Sequence, residues 1–342
     1  MTYLAITGAS FVLGFFFTLL ARIMAVKLNI LDHPLPPLKN HDSPVPLLGG
    51  VSLCLSFVIP VLGIRILLGR DIRGLAALLL GATLMMILGL AGEIRRFSAL
   101  FRLICQMTIG LLMTFLGVRL LFLDHGLANT VLTIIWITGM TNALNIIDIM
   151  DGLATGVAGT AAAAFFVAGL LDGKADIMLP AAALCGSSGA FLLFNWRPAK
   201  IYLGDEGSYL LGFLLAWLAL SGSQPRNNPL AVLHPLLILG VPLLDTALAV
   251  ALRIKKGLNP IRGSNDHLAQ RLVMMGLGKT TAVLTLILLS GCFSALAVAS
   301  LRLPFGPTLV LDLCLGAAVL AALRKIGKVD MEGYAQVACR IR

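Results

Sequence analysis

Charge is scarce in this chain. Only 12% of its 342 residues are Asp, Glu, Lys or Arg, while 58% are hydrophobic. That balance places it among membrane proteins rather than soluble ones. No C-x-x-C pair occurs. Cys54, Cys105, Cys185, Cys292 and Cys314 lie inside apolar runs and Cys339 lies in the tail, which argues against a metal cluster or a disulfide framework. The apolar runs lack the period-2 alternation of barrel strands, so only helices are expected to cross the bilayer. No internal repeat and no low-complexity linker divides the chain. It is read as one membrane domain over 1–342, with a cytoplasmic tail from about 324. The first apolar run, Tyr3 to Ala25, has neither a basic start nor a small-residue cleavage site, and is expected to be a retained helix rather than a signal peptide.

What is present is a series of apolar stretches, each near the ~20 residues needed to cross the hydrocarbon. About eleven are expected, approximately 3–25, 47–68, 75–91, 101–122, 129–147, 155–171, 177–194, 207–222, 231–252, 282–301 and 307–323. The expected class is therefore all-α and polytopic. With the first terminus outside, nineteen of the 26 Lys and Arg residues fall on the inner face and seven on the outer. This satisfies the positive-inside rule. The net charge of +10 is thus explained by short inner loops rather than by nucleic acid. The same orientation puts every polar cluster on the cytoplasmic side.

The richest cluster is Asn142–Gly156, N-A-L-N-I-I-D-I-M-D-G-L-A-T-G. Asn142, Asn145, Asp148 and Asp151 recur every three residues, a spacing that on a helix keeps them near one face. Carboxylates at the end of an apolar segment are costly, about 2.5–3.5 kcal/mol for an Asp at mid-membrane, which points to a working site rather than a plain helix end. Around Asp205, the segment N-W-R-P-A-K-I-Y-L-G-D-E-G-S places Gly204 and Gly207 on either side of the carboxylate, with Ser208 as a candidate helix cap facing an anion. The first inner loop, Asp32–Gly50, carries five prolines together with Lys39 and His41. Lys39 offers a cation there, and His41 a proton-transfer or anion contact. Glu93 is the acid of Gly89–Ser98, and two arginines follow it. The longest loop, Arg253–Thr281, brings Arg262 and His267 and suits a polyanionic substrate. Carboxylates converging with cations fit Mg²⁺ and a diphosphate, the metal taking one or two carboxylates and phosphate oxygens completing its shell.

These residues resemble the polyprenyl-phosphate N-acetylhexosamine-1-phosphate transferase family. The resemblance rests on N-x-x-N-x-x-D-x-x-D-G-L-A at Asn142–Ala154 and P-A-K-I-Y-L-G-D-E-G-S at Pro198–Ser208. K-x-H-x-x-x-x-P-L-x-G-G at Lys39–Gly50 and Asp245-Thr246 before the basic loop support it. Eleven spans look more like the branch that acts on UDP-N-acetylglucosamine or related sugars. The resemblance implies a reaction in which undecaprenyl or another polyprenyl phosphate attacks the sugar-linked phosphate of a UDP-sugar and UMP leaves. This would initiate a cell-envelope glycan at the bacterial inner membrane, with a homodimer as a further expectation. It also implies roles. Asp205 and the Asn145 amide oxygen would hold Mg²⁺, or Mn²⁺. Asp148 and Asp151 would steer or activate the lipid phosphate and hold the nucleotide. Lys39, Asn195 and His267 would contact substrate.

Three positions depart from the family pattern. Gly92-Glu93 stands where two adjacent aspartates are usual, leaving Glu93 as the acid of that loop. Ile149 replaces a glycine, and His267 is alone where the family has a histidine cluster. Two other protein classes carry different patterns. A CDP-alcohol phosphatidyltransferase would continue its D-x-x-D-G with an Ala-Arg pair and two close aspartates, whereas Thr155-Gly156 follows here. An ion-coupled transporter would place carboxylates at mid-span, where only Asp245 and Asp312 come near. An impaired family member that binds a lipid or partner is left open by Gly92-Glu93.

Overall fold

Among the described residues, helix covers most of each expected span in the computed structural model, which describes residues 1–32, 44–69, 73–120, 123–222, 230, 233–259, 265–334 and 336–337. In chain order the helices are α1 (Thr2–Lys27), α2 (Gly49–Leu67), α3 (Arg73–Arg95), α4 (Ala99–Phe115), α5 (Gly126–Ile147), α6 (Leu153–Asp172) and α7 (Ala175–Asn195). They continue with α8 (Gly204–Gly222), α9 (His234–Ile238), α10 (Gly240–Lys255), α11 (Leu268–Met274), α12 (Lys279–Ser300) and α13 (Phe305–Ile326). Eight of the helices are long and apolar enough to cross a membrane, and α4 is a shorter apolar one. The chain is an all-α polytopic protein. The stretch expected as one span over 231–252 is divided between α9 and α10. Pro242 has no N–H to give the Ile238 carbonyl, so a continuous ladder cannot run through this point.

α8 is the axis of the bundle. All its side chains from Glu206 to Ala219 are buried, with α3 and α5 packed along it and α2 and α6 against its remaining sides. The Trp136 indole N–H donates to the Ala216 carbonyl at 3.1 Å and fixes α5 on α8. A second layer forms around α7, which α1 and α6 flank. α6 and α7 bury short side chains, among them Ala158, Ala161, Ala162, Ala181 and Ala183. Small residues of this kind let helices approach closely, which matters in lipid, where apolar burial alone does not hold helices together. α13 lies at the edge, with Thr308 as its one buried residue.

The only regular non-helical pairing among the described residues is β1 (Leu31–Asp32) antiparallel to β2 (Val45–Pro46). It draws together the two ends of the loop between α1 and α2. Tyr202 donates its N–H to Pro46 O at 2.9 Å, and Gly50 donates to Leu203 O at 3.1 Å. The loop is thereby stitched to the segment that leads into α8.

Candidate active site

Four segments meet at one end of the bundle: the end of α3, the start of α4, the α5–α6 connection and the start of α8. The first correction to the sequence reading lies in the connection. Asn142 and Asn145 sit on α5, but the helix ends at Ile147, so Asp148 and Asp151 are on a turn rather than on the same helical face. Asp148 leaves the helical region (φ −77°, ψ 59°), and Gly152 takes the left-handed conformation (φ 78°) that starts α6. Contacts from the far side of the chain hold this turn. Asn195 Oδ1 accepts the Gly152 N–H at 3.1 Å and the Thr155 hydroxyl at 3.3 Å, while its Nδ2 donates to Ile201 O. Asp151 Oδ2 accepts the Ala199 N–H at 3.1 Å.

Asp205 is the meeting point of the site. Gly204, at φ 73°, turns the chain into α8, so α8 begins before Ser208, which lies inside the helix and does not cap it. The Ser208 hydroxyl donates to Asp205 O and accepts from Asn145 Nδ2. Asn145 Nδ2 also donates to Asp205 Oδ1 at 2.7 Å. The Arg102 guanidinium pairs with Asp205 Oδ2, and Glu93 Oε1 accepts the Asp205 N–H at 2.7 Å. Asn142 is turned aside, donating to Gln106 Oε1 and Thr138 O.

Arg102 escaped the sequence reading as a site residue. One signal was available: a cation near a helix N-terminus opposes the helix dipole and calls for an anionic partner.

The acids shape each other's charge. Burial, then the charges of Asp205, Glu93 and Asp151, push the Asp148 carboxyl up to about 8, although its residue keeps some solvent access. Burial, then Asp151, Asp32 and Asp148, raise the Tyr202 phenol, which places Asp32 in the same acidic field. Such crowding of negative charge favours a bound cation. Among the described residues, no three or more His, Cys, Asp or Glu side chains form a closed metal cage. One carboxylate beside one carboxamide is the donor set of an open site for a hard ion that keeps positions for water or phosphate oxygens, as Mg²⁺ does. The residues present fit that ion.

A second cluster forms where α10 and α11 meet, and α10 packs on α5. His267 Nδ1 lies 2.8 Å from Asp245 Oδ2, and Nε2 lies 3.5 Å from the Arg253 guanidinium. A hydrogen on Nδ1 lets both contacts form together. The Leu268 N–H donates to the other Asp245 oxygen. Asp266 takes Lys256 Nζ at 2.7 Å and Arg271 at 2.6 Å. Burial alone would raise the Asp266 carboxyl, but those two cations outweigh it and hold it below the usual carboxylate range. Arg271 is itself fully buried and donates to the carbonyls of Ile326, Gly327 and Val329 at and just beyond the end of α13.

Of the residues expected from sequence, Asn145, Asp148, Asp151, Asp205 and Glu93 are brought together, with Asn195 behind their turn. His267 belongs to the second cluster. Lys39, His41 and Arg262 lie outside the described residues.

Residues 75–223 match the sequence profile of glycosyl transferase family 4, a stretch that contains Glu93, Asn145, Asp148, Asp151, Asn195 and Asp205. The chain is 30% identical over 290 residues to a probable undecaprenyl-phosphate N-acetylglucosaminyl 1-phosphate transferase of Bacillus subtilis, covering 82% of this chain and 80% of that protein. It is 25% identical over 319 residues to an undecaprenyl-phosphate alpha-N-acetylglucosaminyl 1-phosphate transferase of Yersinia pestis, covering 88% and 85%. Against a decaprenyl-phosphate N-acetylglucosaminephosphotransferase of Mycolicibacterium smegmatis it is 28% identical over 356 residues, covering 94% and 87%.

Proposed function

The chain belongs to glycosyl transferase family 4, among the polyprenyl-phosphate N-acetylhexosamine-1-phosphate transferases, and from that premise we propose its reaction. An oxygen of undecaprenyl or another polyprenyl phosphate attacks the sugar-linked phosphorus of a UDP-N-acetylhexosamine. One P–O bond forms, the P–O bond to UMP breaks, and the products are polyprenyl diphosphate sugar and UMP. The three relatives are named for N-acetylglucosamine, so UDP-N-acetylglucosamine is the first donor to test. The observation that supports this reading best is the convergence of Asn145, Asp148, Asp151 and Asp205 from separate segments at one end of the bundle.

Asp205 and the Asn145 carboxamide would hold Mg²⁺, or Mn²⁺, which neutralises diphosphate charge when bound. The chain's own residues supply the positioning on which phosphoryl transfer depends. Asp151, fixed by the Ala199 N–H, and Asp148, on the same turn, face the incoming phosphate and nucleotide. A carboxyl held near 8, as Asp148 is, exchanges a proton close to neutral pH and suits contact with a phosphate monoester. Glu93 adds the acid of the α3 end. Lys39, His41, Arg262 and His267 are proposed to contact the anionic substrates, and Asn195 contributes through the turn it holds. The distribution of basic residues supports a cytoplasmic site at the bacterial inner membrane.

One observation favours an impaired member instead. Arg102 neutralises Asp205 beside Gly92, where the family has an acid. UMP release separates the readings. Purified protein in detergent, given undecaprenyl phosphate, Mg²⁺ and a panel of UDP-sugars, should release UMP with at least one donor. No release with any donor would sink the proposal.

A further inference from the structure

Glu206 follows Asp205 in the first turn of α8 and is wholly buried. A buried carboxyl without partners is costly, so its contacts carry information. Glu206 Oε1 accepts the Leu48 N–H at 3.1 Å. Leu48 caps α2 with a left-handed backbone (φ 97°) that a leucine rarely adopts. Glu93, at the end of α3, is the charged neighbour of Glu206. Among the described residues, Oε2 of each side chain has no hydrogen-bond partner. Glu93 Oε1 takes the Asp205 N–H at 2.7 Å, so the end of α3 holds the first turn of α8 beside Glu206. The neighbouring backbones leave room for this pair: a Cβ on Gly50 would collide with Glu206 Cγ, and one on Gly89 with Glu206 N.

We infer that Glu206 is a positioning residue of the active site, which ties the start of α2 to the first turn of α8, beside the Glu93–Asp205 contact, and so fixes the direction of the Asp205 carboxylate. The inference rests on the transferase reading only in taking Asp205 as the working carboxylate. It requires length and a hydrogen-bond acceptor at position 206. A carboxamide of the same reach still accepts from Leu48. An aspartate keeps the charge and falls one methylene short of Leu48.

The test uses the full chain in detergent, with Mn²⁺ affinity read by electron paramagnetic resonance and with kcat and KM read from UMP release. Glu206→Gln should keep Mn²⁺ affinity and kcat within about threefold of the unmodified protein. Glu206→Asp should lose about tenfold or more in both, with KM for the UDP-sugar little changed, as when a group that orients a metal ligand is disturbed. The reverse order, Asp spared and Gln impaired, would show that Glu206 acts through charge and overturns the inference. Two variants that both behave as the unmodified protein overturn it as well. If Glu206→Asp does not fold, Glu206→Met takes its place as a variant of similar length without hydrogen bonding, and the same loss is expected. Mn²⁺ binding needs no turnover. A chain that binds Mn²⁺ but releases no UMP defeats the transferase reading while the affinities of the variants still decide the role of Glu206.

Discussion

Asn145 and Asp205 are 60 positions apart in sequence, and the Nδ2 of one lies 2.7 Å from the Oδ1 of the other. The contact joins the last turn of α5 to the first turn of α8, so the two candidate metal ligands move as one unit with the buried axis of the bundle. Asp205→Asn removes the full charge of that pair. Mn²⁺ affinity should fall by about tenfold or more, and most UMP release should disappear. Retention of both activity and metal response would remove Asp205 from the metal site.

Glu93 is placed to act in two ways, as an acid of the site and as the acceptor of the Asp205 N–H. Glu93→Gln preserves the acceptor and removes the charge. We expect kcat to fall by more than KM for the UDP-sugar rises, a drop of about tenfold by the usual scale of proton-transfer groups and of groups that support metal ligands. If steady-state kinetics show an unchanged kcat, Glu93 serves only to hold Asp205.

Asp148 links folding to protons. Its carboxyl has an ordinary value of 3.8 and is raised to about 8 in the folded chain. Between those values the folded chain keeps a proton that the unfolded chain has released, so the stability contributed by this group falls as pH rises. Asp148→Asn abolishes the linkage. Its melting temperature relative to the unmodified protein should therefore rise between pH 5 and pH 8, by at least about 2 °C. A difference that does not change with pH would contradict the raised value.

Arg271 holds the end of α13 and the chain after it through three carbonyls and closes an ion pair with buried Asp266. Arg271→Leu takes the guanidinium from those carbonyls and leaves Asp266 with Lys256 alone. It should destabilise the protein by about 3 kcal/mol and speed proteolysis after residue 326. Thermal unfolding in detergent and limited digestion read the two effects. An unaltered melting curve would show that solvent replaces the guanidinium without loss.

Sidedness can be tested at Asn265, which is exposed just before the His267 cluster. A cysteine there should react with membrane-impermeant thiol reagents from the cytoplasmic side only. Labelling of intact cells from outside would invert the proposed topology.

Much of the site was legible because its residue types are out of place in an apolar chain. Asn145, Asp148, Asp151 and Asp205 are groups that lipid-spanning segments avoid, and each does lie at the converging end of the bundle. Their arrangement was less legible. Three-residue spacing suggested one helical face for Asp148 and Asp151, whereas Asn195 and the Ala199 N–H capture that stretch as a turn. His267, read as a lone residue, proves to be held by Asp245, 22 positions earlier.

By itself the sequence determined the all-α class and the approximate place of nearly every helix. The reason is local. A segment in hydrocarbon must satisfy its backbone polar groups within itself, so a long apolar run is already a helix before it meets any neighbour. Tertiary structure alone decided which side chains meet. Arg102 reaches Asp205 across 103 positions, and Glu206 takes the Leu48 N–H across 158. Those pairings depend on which helix ends pack side by side around α8, and no pattern within a single segment carries that information.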